Sequence, residues 1–484
     1  MVMVARIICI LSLFSQVTSW SAEKVRLSQK DVAERLLKDG FKSKEILLVA
    51  EQTHLALTQA SAGYDFNLSL ESGYQLSKVP NFLGTQADQD QSYKTTLLMN
   101  KPFSSGTLLG LEYTRLSKNT TYPAASTVTV PSEQTEDYFG VTLQQSLLKN
   151  VFGRADRAKI RAAEATYDAA QTSRNDDLQN LVLDGIRLYW KAFVAQQTFN
   201  EALNSRDRYQ KLVEAVRKKT SYGYNNPGEL AQVQAEFESR NQNVKSKSTD
   251  YLAAVGDLIT LLKLPPGIEI EFDVPKEMPA PPSSMAKSVE DLRPIRALKK
   301  KYAAAEDSYL AADNGTLPDL ALVGKYYQYG LKPTASEATS EMLGGSRPDY
   351  YIGLKVSYAF GSGIQNEDSI NKRVSKDLAQ SVLERKKLEI HDALEKTSRS
   401  VLSTFAIFES AKLQKSFREK AAQEQSKAYN QGRTDINTLI ISLNNYFDSE
   451  IIYTRSIGDY LTALNEFAAF RDELIPDSKT EIRK

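Results

Sequence analysis

The sequence has one cysteine, two histidines and two tryptophans in 484 residues, and its 61 Lys and Arg nearly balance its 60 Asp and Glu. Each shortage excludes something. One cysteine, Cys9, leaves no disulfide framework. His54 and His391 sit far apart in helical stretches with no neighbouring His or Cys, so no metal site is expected. A net charge of +1 argues against a nucleic-acid binder, because phosphate contacts need clustered Lys and Arg in excess. The run Lys299-Lys300-Lys301 reads as a solvated helix face. No apolar run reaches about 18 residues, so a transmembrane helix is excluded, and any passage through a membrane falls to a β-barrel. No Gly-rich phosphate cradle, Ser-His-Asp set or carboxylate pair in an aromatic cleft stands out, which leaves an enzyme or a cofactor without residues to carry it.

At the N-terminus, residues 1–22 carry Arg6, the apolar stretch Ile7 to Phe14, and the small residues Ser19, Ser21 and Ala22. This reads as a secretory signal peptide, whose cleavage would remove Cys9. Lipid attachment at Cys9 is the alternative, against which stand the bulky Ile7 and Ile8.

Proline placement marks the organisation of the rest. Six of the 16 prolines fall between Pro265 and Pro282, and none occurs from Ser132 to Asn226 or from Asp349 to Ile475. Since proline costs about 3 kcal/mol inside a helix, two helical halves joined by an extended linker are expected. The halves are related. Gly223 and Gly432 each open a turn, and each turn is followed by an Asp-Tyr-Leu at 250 and 459, an offset of 209. Upstream, the block at Tyr138 matches that at Tyr351 with offset 213, and the block at Tyr64 matches that at Pro318 with offset 254. Three blocks in one order indicate duplication, with a 41-residue insertion in the first half. The expected boundaries are signal peptide 1–22, first repeat 23–264, proline-rich linker 265–286, second repeat 287–474 and a short tail 475–484.

Period-2 alternation predicts strands at Phe66 to Leu76, Phe139 to Leu147 and Ile352 to Phe360, a less regular one after Pro318, and a hairpin within the insertion turning near Ser104 to Gly106. The loop beyond it, through Pro123 and Pro131, is polar. Long helices are predicted over 154–221, 229–264, 367–431 and 436–474, and shorter ones over 28–62 and 289–313. At 1.5 Å per residue the longest two would reach about 100 Å. Narrow apolar stripes such as Leu181, Ile186, Leu188 and Phe193 fit coiled-coil-like packing with water on one face.

The order helix, hairpin, long helix, turn, helix, repeated twice, resembles the TolC-like outer-membrane efflux protein family. The residues that carry the resemblance are AYNQGRTDINTLIISLNNYFDSEIIYTRSIGDYLTALNEF from Ala428, TLQQSLLKNVFG from Thr142 and LRPIRALKKKYAAAEDSYLAADNGTLPDLALVGKYY from Leu292. The resemblance implies an α+β fold in a homotrimer, with long antiparallel coiled-coil helices forming a trimeric α-barrel across the periplasm and strands forming a trimeric transmembrane β-barrel. It also implies outer-membrane lipid around the barrel, a periplasmic adaptor and an inner-membrane transporter as partners, and a passive duct in an efflux or type I secretion system. The family carries four strands per chain; the insertion here adds a hairpin that either joins the barrel or stands outside it. A structural periplasmic coiled-coil protein is the competing reading, and it would need a packed core on the strands' apolar side.

The turns at Gly223 and Gly432 would then lie at the periplasmic end, where the family closes its tunnel. Family members with a closed aperture carry acidic residues at positions held here by Thr438 and Ile441, so Tyr429, Arg433, Asp435 and Glu229 form the candidate gating cluster. Plain helix C-caps at both glycines and a solvated helix tip are the alternative. The aromatic residues Tyr74, Tyr93, Tyr113, Tyr138, Phe139, Tyr350, Tyr351, Tyr358 and Phe360 suit either membrane girdles or ordinary strand preference.

Overall fold

The computed structural model describes residues 24–78, 87–122, 131–223, 227–282, 288–358 and 363–475. The expected signal peptide with Cys9, and Pro123 and Phe360, lie outside the described residues. In chain order the elements are β1 (Lys24–Leu27), α1 (Gln29–Asp39), α2 (Phe41–Ala62), β2 (Asn67–Ser77), β3 (Gln89–Phe103), β4 (Thr107–Thr121), β5 (Glu133–Ser146), α3 (Arg154–Ser221), α4 (Glu229–Leu262), β6 (Glu269–Phe272), α5 (Arg293–Gly315), β7 (Asp319–Lys332), α6 (Ala335–Leu343), β8 (Pro348–Ser357), α7 (Gly363–Asn430) and α8 (Ile436–Phe470). The chain forms two compact units, one of residues 1–48, 173–293 and 387–484, the other of residues 49–172 and 294–386.

The first unit is built from long helices. Its core joins Val32 and Leu36 of α1, Val182, Ile186, Tyr189 and Phe193 of α3, Leu258 of α4, Phe408 of α7 and Tyr460 of α8. Within the proline-rich segment, which the sequence predicts to be an extended linker, β6 lies parallel to β1, from Lys24 opposite Glu269 to Leu27 opposite Phe272. The buried Tyr189 hydroxyl ties the two together, donating to the Leu27 carbonyl at 2.9 Å. The single helix expected over 28–62 is broken at Gly40, whose extended backbone (ψ 135°) caps α1.

The second unit holds one six-stranded antiparallel sheet in the order β2-β3-β4-β5-β7-β8. The inserted hairpin β3–β4 is therefore part of the sheet, between the two strands that flank it in sequence. Its turn is at Gly106 (φ 73°). A short helix absent from the sequence expectations, α6, connects β7 to β8.

Candidate pore wall and aperture

Residues directly opposite one another in an antiparallel ladder project to the same face, so the register sorts the sheet. One set of rows runs Leu70, Leu97, Tyr113, Phe139, and another Leu68, Met99, Leu111, Val141, Tyr326, Tyr350. The intervening rows carry Glu71, Thr96, Thr114, Tyr138, Tyr329, and Gly73, Lys94, Leu116, Glu136. One face is thus apolar and the other polar. The apolar face is exposed to a degree unusual for a folded domain: Leu70 is 70%, Ile352 80% and Val356 68% accessible. The polar face is hollowed, with a cavity of about 530 Å³ lined by Glu71, Asp90, Lys94 and Lys118. Lys118 pairs with Asp90 at 3.0 Å across the inserted hairpin.

The aromatic residues divide between the faces. The Tyr74 ring lies tilted against Tyr93 at 4.8 Å and Tyr326 against Tyr350 at 5.2 Å on the apolar face, which Tyr113 and Phe139 share. Tyr138 turns to the polar face, 5.9 Å from Tyr327, and donates to Glu112 at 2.8 Å. Tyr351 is also on that side, and Tyr358 lies past the end of β8.

Two features of this unit were missed in the sequence. On the apolar face, Arg115 of β4 makes two 2.8 Å hydrogen bonds to the fully buried Asp137 of β5, and the Thr339 hydroxyl of α6 donates to the same carboxylate at 2.6 Å. Gly330 lets α6 sit there, since a Cβ on it would come within 2.0 Å of the Ala338 carbonyl oxygen. At the other end, the segment from β5 into α3 is wrapped around the hairpin turn. Asn150 adopts the left-handed conformation (φ 60°) and its side-chain oxygen accepts from the Ala155 and Asp156 N–H groups at 3.1 Å, capping α3. Asn-x-x-Gly before a long helical stretch is the signal that could have found this turn.

In the first unit, the candidate aperture residues fall at the turns between α3 and α4 and between α7 and α8. Gly223 (φ 77°) and Gly432 (φ 70°) occupy the left-handed region, with nothing within 4 Å of a built Cβ. After Gly432 the Arg433 N–H bonds the Ala428 carbonyl at 2.9 Å, closing α7 as a glycine C-cap does. Tyr429 is buried with Tyr209, Val216, Val233, Ile436 and Leu439. Its hydroxyl donates to Glu229 at 3.4 Å, while Lys219 stands 3.8 Å over its ring and bonds its carbonyl at 3.0 Å. Burial first, and then the Glu229 carboxylate, push the Tyr429 phenol up to about 12. Asp435 is the N-cap of α8: its carboxylate accepts from the Thr438 N–H at 3.0 Å and the Thr438 hydroxyl at 2.8 Å, which hold it below the usual carboxylate range. The structure therefore brings Tyr429 and Glu229 together, places Asp435 on its own helix start, and leaves Arg433 exposed. Thr438 serves Asp435, and Ile441 is exposed.

Neither a protein-family model nor a curated protein matches the chain. Solved structures do. The chain is similar to the Campylobacter jejuni CmeC outer membrane channel, at TM-score 0.68 and 12% identity over 92% of this chain and 86% of that one. It is similar to the outer-membrane channel OprN at TM-score 0.67 and 16% identity, over 92% and 90% of the two chains. The open state of the Neisseria gonorrhoeae MtrE outer membrane channel gives TM-score 0.67 and 13% identity over 93% and 91%. At these identities the likeness lies in the fold, and the fold of this chain, long helices with one antiparallel sheet, is that of the outer-membrane channels.

Proposed function

We propose that the protein is a passive export duct of the outer membrane, a homotrimer whose sheets close one β-barrel and whose long helices line a tunnel through the periplasm. The observation that carries this reading is the six-stranded sheet: apolar and exposed on one face, polar and hollowed on the other, with the outer edges of β2 and β8 unpaired among the described residues. Open strand edges are not tolerated in lipid, and further copies of the chain would remove them. The helices support the same reading, because Leu402, Leu413 and Phe417, spaced along one side of α7, remain exposed. A duct of this kind would take its energy from an inner-membrane transporter, reached through a periplasmic adaptor in a tripartite efflux or type I secretion system. Adaptor docking and closure of the tunnel would fall at the turns of Gly223, Glu229, Tyr429, Gly432, Arg433 and Asp435. The competing coiled-coil reading needs a packed layer over the apolar face; Leu68, Leu354 and Val356 are more than 60% exposed instead.

Fractionation tests the proposal. A detergent-stable, heat-modifiable trimer in the outer membrane, conducting in planar bilayers, is expected, whereas a soluble periplasmic monomer would overturn it.

A further inference from the structure

The inserted hairpin is built into the sheet along its whole length. β3 pairs with β2 from Asn67–Asn100 to Ser77–Asp90, and β4 pairs with β5 from Thr107–Gln145 to Asn119–Glu133. It cannot swing out as a flap without breaking both ladders. Two further ties fix it. At one end the turn at Ser104 to Gly106 is seated against Asn150 and Gly153, with the Ser146 N–H on the Gly106 carbonyl at 3.1 Å. Towards the other, Arg115 of the hairpin is bound to Asp137 of β5 beneath α6.

The hairpin also continues both faces, with the row of Thr95, Arg115 and Asp137 a polar break in the apolar one. Leu97, Met99, Leu109 and Leu111 extend the apolar face, and Lys94, Glu112 and Lys118 extend the polar one. A hairpin standing outside a barrel would have no reason to repeat its inside-outside alternation in register with its neighbours.

We infer that the hairpin widens the barrel: each chain contributes six strands, three chains close an eighteen-stranded wall, and Lys94, Glu112 and Lys118 of the hairpin line its lumen. This rests on the trimeric duct proposed above. With strands about 4.8 Å apart and tilted about 40°, eighteen strands give a wall roughly 36 Å across, against roughly 24 Å for twelve. Allowing about 6 Å per side for side chains, the clear width rises from about 12 to about 24 Å, from room for one bare helix to room for two. The lining is of mixed sign, Asp90 beside Lys118 and Glu71 one row from Lys94 on the same face, so the wider mouth selects by size rather than by charge. Bulky hydrated cargo, such as a partly folded polypeptide, is the substrate class such a mouth admits.

Single cysteines introduced into full-length chains carrying Cys9→Ser test this. Lys94→Cys lies on the polar face of the hairpin, Leu97→Cys on its apolar face, and Leu70→Cys on the apolar face of β2 directly opposite Leu97. In native outer membranes a water-soluble, membrane-impermeant thiol reagent should label Lys94→Cys at least about tenfold faster than either leucine variant, and electron microscopy of the trimer should count eighteen strands. If Leu97→Cys labels as fast as Lys94→Cys while Leu70→Cys stays protected, the hairpin stands outside the barrel and the inference is overturned with the duct intact. If all three label alike and the chain is periplasmic, the duct reading itself fails.

Discussion

Gly153 and Ser104 approach so closely that a Cβ built on the glycine would lie 1.7 Å from the serine carbonyl oxygen. The glycine opens the way into α3 and the serine turns the inserted hairpin, so this contact seats the hairpin on the junction between sheet and helix. Gly153 also has φ 74°, a conformation that an L side chain adopts only with strain. Gly153→Ala combines the clash and the strain and is expected to cost about 3 kcal/mol. The proposed detergent-stable trimer should dissociate at a lower temperature, while Gly63→Ala, built into open space, leaves that temperature unchanged. Equal behaviour of the two variants would show that the hairpin turn is not held there.

Arg115 and Asp137 form the second tie, and removing either partner strands the other. Asp137 is fully buried, so Arg115→Ala leaves an uncompensated carboxylate under α6 at an expected cost of about 3 kcal/mol. Replacing both, as Arg115→Met with Asp137→Leu, removes the stranded charge and should recover most of the loss. Urea unfolding of the refolded protein in detergent measures this. A double variant as unstable as the sum of the single variants would mean that the two side chains act independently.

Much of this architecture was legible because the periods were clean. Leu68, Leu70, Tyr74 and Leu76 alternate with polar neighbours and announce β2, and Gly106 marks the hairpin turn. What escaped has a common cause: it depends on partners remote in sequence. Nothing local to Arg115 names Asp137, and nothing in Ala335 to Leu343 says that Gly330 will admit a helix across the sheet. The strand β6 was hidden among prolines because its pairing partner, β1, lies some 245 residues upstream. At the helix turns the difficulty was different. Tyr429, Arg433 and Asp435 are near in sequence, but helical geometry sends Tyr429 into an apolar cluster and Asp435 onto the next helix start.

The Tyr429 phenol gives the turn region an alkaline limit. Its value is raised to about 12, above the ordinary value of about 10 in an unfolded chain, because burial and then Glu229 disfavour the phenolate. Between these two values the folded state holds the proton that the unfolded state has lost, so stability is intact below about pH 10 and falls as pH rises towards 12. Amide exchange around Ile436 to Ile440 should quicken over that window. Tyr429→Phe, which keeps the ring in its cluster and removes the ionisation, should lose that part of the pH dependence. The same steep loss in Tyr429→Phe would assign it to another group.

Asp435 can act as a helix cap, as a charge at a closed aperture, or as both, and one pair of substitutions separates these. Asparagine caps a helix about as well as aspartate, whereas alanine does not. Asp435→Asn therefore keeps the bond to the Thr438 N–H and removes the charge, and Asp435→Ala removes both. If the charge helps to close the proposed tunnel, both variants should raise the closed-state conductance of the proposed trimer in planar bilayers, as should Arg433→Ala. If the residue is a cap alone, Asp435→Ala loosens the start of α8 while Asp435→Asn conducts as the parent does. Acid reports on the same bond: its contribution is present above the ordinary aspartate value of about 3.9 and is lost as pH falls through the lower value that Thr438 imposes. A cap that acts alone would leave the conductance of the Asp435→Asn trimer at the parent level while abolishing the acid loosening of α8, because asparagine has no proton to take up.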